Sequence, residues 1–557
     1  MKNKKSKVLL IVVIALVAIL AVVMFSQKDV KGPAEDEKQE CLTDYIAGVS
    51  EDTIFILDAA SEEKTIVNIA EITGEIFEET LIFNKEQTKL LYSNNLKEVE
   101  TDIYTKDIYV YDIEAKSNEL ILDGVCDFYT NEDFSAFVYE ADDRSIWYKE
   151  NTSEAEKIAE DCYYFNVSDD LQQVIYEGES AEKYLYTHGA DTKLIGKDIE
   201  LISNIDGSFL YNEKNSLVKY DNGEKTVLIE NSGFEYGSWV DKDAFFTVLG
   251  KEIDISGCLE YDIPVSEYAE VHKNIISQIN EGKMVLELYN VYYYDGEKVT
   301  LVTENVLSCL RNENYYDDDF EQYVGVHYMY NENALPKIKL SEINPDYEFY
   351  FKNEVLDRCK ENADIAVTYK DKFMGEIDIN SGSAYIYDEE HGVLYIKDQG
   401  YDDEESLYIN SIYAMELTED KLGEVEVIAD SIKSHDDVFA VCSDGLVYTK
   451  ASDDFTSELY AGKTLITPNC INTTIFENDA FYTYNSSEDI DGDEKSIVYI
   501  DGVIQIYDGI NSYQMFDMTK GGRVICSQDE DGTIAILENG VATEINGVCI
   551  DYILVAN

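Results

Sequence analysis

The chain has 557 residues, with 114 Asp and Glu against 43 Lys and Arg, a formal net charge of -71 at pH 7. That excess of acid excludes a nucleic-acid binder, because a phosphate backbone requires a dense positive footprint. A content of 45% hydrophobic residues, 44 Tyr and only 5 Pro excludes a disordered chain and suits half-buried strands, while the length exceeds one ordinary compact domain unless it is built from repeats.

The first element is an apolar run from Val8 to Phe25, preceded by Lys2, Lys4, Lys5 and Lys7. At about 1.5 Å per residue it spans roughly 27 Å as a helix, close to the hydrocarbon thickness of a bilayer. The run is longer than the apolar core of a cleavable signal peptide, and Val22-Val23-Met24-Phe25 has no small-x-small cleavage site. The sequence therefore predicts a cytoplasmic tail over residues 1–7, a single-pass transmembrane signal anchor over 8–25, and a linker over 26–42. By the positive-inside rule the domain at 43–557 lies outside the cell membrane. Residues 1–30 carry five Lys against Asp29 alone, so almost all of the negative charge belongs to that exterior, where it keeps an exposed domain soluble.

From residue 43 onward one unit recurs: a strand ending in aliphatic-Tyr, a polar turn, a second Tyr-rich strand and a closing aliphatic strand. Leu90-Leu91-Tyr92, Phe137-Val138-Tyr139, Val174-Ile175-Tyr176 and Phe209-Leu210-Tyr211 open four of them. Second strands follow at Ile108-Tyr109-Val110-Tyr111, Ile146-Trp147-Tyr148, Tyr184-Leu185-Tyr186 and Leu217-Val218-Lys219-Tyr220. Asp123-Gly124, Asp206-Gly207 and Asn222-Gly223 read as hairpin turns. Units of roughly 40–45 residues with about four strands are the signature of propeller blades, which bury their faces only by stacking on neighbours. The fold class predicted is all-β: a β-propeller of about 7–8 irregular blades in one ring, or two smaller rings.

Two segments depart from strand periodicity. Val265, Tyr268, Ala269, His272, Ile275, Ile276 and Ile279 fall at helical spacing after Pro264, and 346–362 follows Pro345 in the same way. Both are expected to be short helical insertions, near 264–280 and 346–362, that cover sheet edges or shape a face. Beyond them the strand units return at Ala384-Tyr385-Ile386-Tyr387, Leu446-Val447-Tyr448 and Thr533-Ile534-Ala535-Ile536-Leu537.

With Leu171-Gln172-Gln173-Val174-Ile175-Tyr176-Glu177 after Ser168-Asp169-Asp170, and with the Tyr292-Tyr293-Tyr294-Asp295-Gly296 strand, the chain resembles the TolB-like and dipeptidyl-peptidase-type propellers. The form it resembles is the membrane-anchored extracellular one common in Gram-positive bacteria. The resemblance implies a propeller fold and an exported setting, and no catalytic residues come with it.

Motifs of catalysis are missing from the sequence. There is no G-x-S-x-G elbow, no phosphate loop, and none of His188, His272, His327, His391 and His435 sits at a metal-ligand spacing. The one candidate metal site is Asp489-Ile490-Asp491-Gly492-Asp493. Alternate acids around a Gly turn give Asp489, Asp491 and Asp493 as candidate calcium ligands, against the plainer reading of an acidic hairpin turn. Asp529-Glu530-Asp531-Gly532 is a weaker copy and Asp317-Asp318-Asp319 lacks the glycine. The ten cysteines contain no C-x-x-C pair and read mostly as small buried hydrophobes, and the tyrosines as half-buried strand residues, not a sugar platform.

The function expected is that of a non-catalytic cell-surface binding or scaffolding propeller, with an unknown extracellular protein or cell-wall glycan as partner. The alternatives are a cell-envelope glycan hydrolase or lyase using paired carboxylates at the channel, or a sensor ectodomain with a membrane partner.

Overall fold

A computed structural model describes residues 44–555, apart from 231–243, 313–323, 486–494 and a number of shorter stretches. Strands dominate it. They pair into nine sheets of four or more strands, each built almost entirely from consecutive antiparallel neighbours, plus one two-stranded sheet. The regular unit is seen between residues 164 and 229. Strands Tyr164–Val167, Gln173–Glu177, Glu182–Thr187 and Lys193–Lys197 form one four-stranded sheet, and Glu200–Ile205, Ser208–Glu213, Ser216–Asp221 and Glu224–Ile229 form the next.

Aromatic pairs hold the middle strands of these units together. Tyr92 lies opposite Tyr109, Tyr176 opposite Tyr184, and Tyr448 opposite Tyr460, with ring centroids 5.3–5.4 Å apart and the planes nearly parallel. A cross-strand aromatic pair stabilises a sheet by roughly 0.2–1 kcal/mol over Ala-Ala. The recurring tyrosines are thus part of the framework. Trp147 has the same use: its indole N–H donates to Ser145 Oγ at 2.7 Å and its face is covered by the Lys157 ammonium, 5.0 Å from the ring centroid.

Each sheet packs face to face on the next through a shared apolar cluster. Ala47, Val49, Ile54 and Ile56 of the first sheet meet Leu81, Leu90 and Tyr92 of the second, and Ile175 and Leu185 of the sheet described above meet Phe209, Tyr211 and Val218 of its successor. The series ends where it began, with Ile525, Ile534 and Ile536 of the last sheet packed on Ile46, Phe55 and Leu57 of the first. Tyr552–Val555 then pairs antiparallel with Tyr45–Ser50 and adds the fourth strand of the first sheet. This is a β-propeller closed by its two ends, a single cycle of sheets in place of the two smaller rings considered from the sequence.

Distinct blades are not countable in the way the sequence suggested, because two strands serve two sheets each. Ser117–Thr130 pairs with Ile103–Asp112 through its first part and with Ala136–Ala141 through its second, giving a continuous seven-stranded sheet. Asp123-Gly124 is a kink inside this strand, not a hairpin turn: Gly124 has φ +63°, and its N–H donates to Asp107 Oδ1 at 3.0 Å. Val299–Cys309 does the same in a six-stranded sheet, with Asn305 at φ +62° between its partners Val285–Tyr294 and Val324–Met329. The Asp206-Gly207 and Asn222-Gly223 pairs lie outside the described residues, though the strands on either side pair directly, Ile205 opposite Ser208 and Asp221 opposite Glu224.

Helices occupy Glu270–Asn280 and Tyr350–Lys360. Phe351, Val355 and Cys359, at i, i+4 and i+8, bury one face of the second in the largest apolar cluster, where Val271 and Ile275 of the first also pack. The apolar run 8–25 lies outside the described residues, and among the described residues no helix is long and apolar enough to cross a membrane.

Candidate functional site

The six-stranded sheet, the helix Tyr350–Lys360 and the strand Ala384–Asp388 enclose a cavity of about 510 Å³. Phe245 and Phe246, Tyr289 and Val291, Leu307 through Leu310, and Gly325 through His327 line it from successive strands. Leu356 closes it from the helix and Tyr385 from the next sheet. Lys352 Nζ lies 3.2 Å from Glu287, which fixes the helix over the strand that carries Tyr289. Among the described residues, no Asp, Glu, Lys or Arg lines this cavity, in a chain whose residues are 28% charged.

Thr247, Ser308 and Asn312 add polar atoms to the lining, and Cys309 and His327 of the lining form a bonded group with Thr368 behind them. Cys309 and His327 are directly opposed in the antiparallel register of Val299–Cys309 with Val324–Met329, and His327 Nδ1 lies 3.2 Å from Cys309 Sγ. On the other side, His327 Nε2 lies 2.9 Å from Thr368 Oγ1, and Thr368 donates its hydroxyl hydrogen to the Gly325 carbonyl at 3.2 Å. A hydroxyl has one hydrogen to give. With that hydrogen on Gly325, Thr368 accepts from His327 Nε2–H, and the bare Nδ1 accepts from the Cys309 thiol. The hydrogen-bond network thus assigns the tautomer.

Burial sets the charge state of the pair. It pushes the His327 imidazole down to about 4 and the Cys309 thiol up to about 12, so both are neutral at pH 7. His327 is only 2% exposed, whereas Cys309 is exposed although it lies deep in the protein, because its sulfur faces the cavity. Of the other free cysteines among the described residues, Cys162, Cys258, Cys359, Cys442, Cys470 and Cys526 are buried and Cys126 is half-buried.

Backbone space makes the arrangement possible. A Cβ on Gly325 would stand 2.7 Å from both His327 Nε2 and Thr368 Oγ1, so this position admits only glycine while the two groups are bonded. Phe245 packs edge-on to the imidazole with centroids 6.3 Å apart, and the Tyr385 hydroxyl donates to the Val324 carbonyl at 2.7 Å, holding the wall beside Gly325.

A second depression, lined by Glu416, Glu424, Glu426, Lys421 and neighbouring apolar residues, is a more open groove in which Glu416 is ion-paired with Lys421. Asp489, Asp491 and Asp493 lie outside the described residues, as do Asp317-Asp318-Asp319 and 529–532. Among the described residues no group of three His, Cys, Asp or Glu is placed to hold a metal ion. Sequence reasoning passed over Cys309 and His327 because they are 18 positions apart and only the strand register brings them together.

No family model matches the chain, and no curated protein does. Solved structures do align with it. A eukaryotic initiation factor covers 83% of this chain and 96% of its own at 8% identity, with a TM-score of 0.31. The β-propeller domain of the trilobed protease from Pyrococcus furiosus covers 64% and 98% at 9% identity and 0.25, and the tricorn protease 92% and 57% at 10% identity and 0.24. Scores of this size carry no argument about the site, and the propeller class rests on the cycle of shared cores.

Proposed function

We propose that the protein is a non-catalytic, membrane-anchored propeller on the outer side of the cell membrane that binds an uncharged small molecule, or the uncharged tip of a larger partner, in the 510 Å³ cavity. The observation that carries this reading is the absence of charge among the described residues of the cavity wall in so acidic a chain. Moving an ion from water into such a lining costs several kcal/mol, whereas an apolar or amide ligand gains about 25 cal/mol per Å² of buried apolar surface. A glycan hydrolase would need two carboxyls across a cleft, and the described residues of this cavity present none. The anchor reading rests on Lys2 to Lys7 followed by the apolar run 8–25, and the linker 26–42 leads outward from it.

The test is isothermal titration of the full chain in lipid nanodiscs with three probes of one shape: benzamide, benzoate and benzamidine. Benzamide is expected to bind, the two ions are not, and Val291→Glu in the wall is expected to remove benzamide binding. Equal binding of all three, or of none, overturns the proposal.

A further inference from the structure

We propose that Cys309 is a nucleophilic thiol that forms a thioether with small, uncharged α,β-unsaturated carbonyl compounds entering the cavity, with His327 carrying the proton and Thr368 positioning His327. The inference rests on the cavity being open to uncharged molecules, as proposed above, and adds a covalent step to it.

Three observations converge on it. Cys309 is the exposed thiol among the described cysteines, and it lies in the wall of the cavity, which opens to solvent. Its sulfur lies 3.2 Å from the imidazole Nδ1, which the tautomer assigned above leaves free to accept. That nitrogen is kept bare by a third group, because Thr368 takes up the other ring N–H at 2.9 Å and has its own hydrogen committed to Gly325. A thiol, a base in hydrogen-bond reach and an orienting group behind the base are the elements of an activated nucleophile. A buried cysteine that served only as packing would need neither partner.

The step balances without a co-reactant. As Sγ approaches the β-carbon, its proton passes to His327 Nδ1 and the Sγ–C bond forms. The C=C π pair moves toward the carbonyl oxygen, giving an enolate, and Nδ1 returns the proton to the α-carbon. Nothing is oxidised or reduced. Because burial holds the resting thiol and imidazole neutral, proton transfer accompanies attack, and the rate depends on His327 more than on the ambient thiolate fraction.

The experiment treats the full chain in nanodiscs with N-ethylmaleimide at pH 7 and follows adducts at each cysteine by peptide mass spectrometry. The thioether is expected at Cys309 ahead of Cys126, and His327→Gln is expected to slow it at least about a hundredfold, the lower end of what a general base contributes. Thr368→Val is expected to slow it and Thr368→Ser to restore it. This pair carries the test should His327→Gln fail to fold. Cys309 remaining unmodified while Cys126 reacts, or reacting equally fast in the His327 and Thr368→Val variants, overturns the inference. Benzamide titration separates the two proposals: binding of benzamide with an inert Cys309 sinks the covalent step alone, and a His327-dependent adduct without benzamide binding sinks the binding reading alone.

Discussion

Two places in the propeller bury polar side chains together, and they handle charge in opposite ways. Where the chain ends meet, Asp44 is fully buried and accepts from Thr519 Oγ1 at 2.5 Å and Arg523 Nη1 at 2.7 Å, and Arg523 Nη2 reaches Glu538 at 2.7 Å. Burial works against the Arg523 charge, yet the hydrogen bonds to Asp44 and Glu538 outweigh it and hold the guanidinium protonated. At the cavity, Cys309, His327 and Thr368 are also bonded to one another, but among the described residues no counter-charge lines the wall and the group stays neutral. A buried ion pair joins segments 479 positions apart at one specific geometry. A neutral pair leaves a wall that an uncharged ligand can touch without stripping water from an ion.

The largest effect expected from breaking this contrast is at the closure. Asp44→Ala leaves Thr519 buried without its acceptor and half-buried Arg523 with Glu538 alone, and loss of one partner of a buried pair costs up to about 3–5 kcal/mol. The urea midpoint of the variant should fall accordingly, and limited proteolysis should first attack the closing strand Tyr552–Val555, since it is held to Tyr45–Ser50 of the first sheet by one edge. A midpoint within error of the parent would mean that the apolar contact of Ile525, Ile534 and Ile536 with Phe55 and Leu57 closes the ring unaided.

The neutral pair makes itself felt through pH. In the unfolded chain His327 takes up a proton as pH falls through 6.5, and in the folded chain only near 4. The folded state therefore has its full contribution from this group above about pH 7 and loses it as pH drops from 6.5 toward 4, by about 3 kcal/mol in total. Cys309 works at the other end: its folded thiol holds its proton to about 12, so its contribution is complete below the ordinary value of 9.0 and declines as pH rises beyond it. His327→Gln should remove the acid slope while leaving the alkaline one. The difference in urea midpoint between parent and variant, measured from pH 4 to about 10, checks this, and a difference independent of pH between 4 and 7 refutes it.

Much of the stacking of sheets was legible in the sequence, but not the closure of the chain ends, and almost none of the cavity. Period-2 strands ending in Tyr92, Tyr176 and Tyr211 announce stacked sheets, because alternation and spacing are local properties of the chain. The number of sheets was not legible, since a kink at Gly124 or Asn305 lets one strand serve two sheets, and Asp123-Gly124 reads as a turn whether the chain reverses there or only bends. Helical spacing around Ile275 and Phe351 marked the two helices but not what they cover. The Cys309–His327 pair depends on cross-strand register, and Gly325 reads as an ordinary strand residue until the space its Cβ would take is seen to hold an imidazole and a hydroxyl.

The smallest expected effect sharpens the comparison most. Cys309→Ser keeps a donor facing His327 Nδ1 and changes little volume, so stability should move by less than about 1 kcal/mol. Asp44 has no such neutral substitute, because its role is to balance Arg523. If the serine variant unfolds at the parent midpoint, still binds benzamide and no longer gains N-ethylmaleimide at position 309, the thiol serves chemistry and not the fold. If it loses several kcal/mol, the sulfur is part of the packing after all, and the cavity pair and the closure are two versions of one structural device.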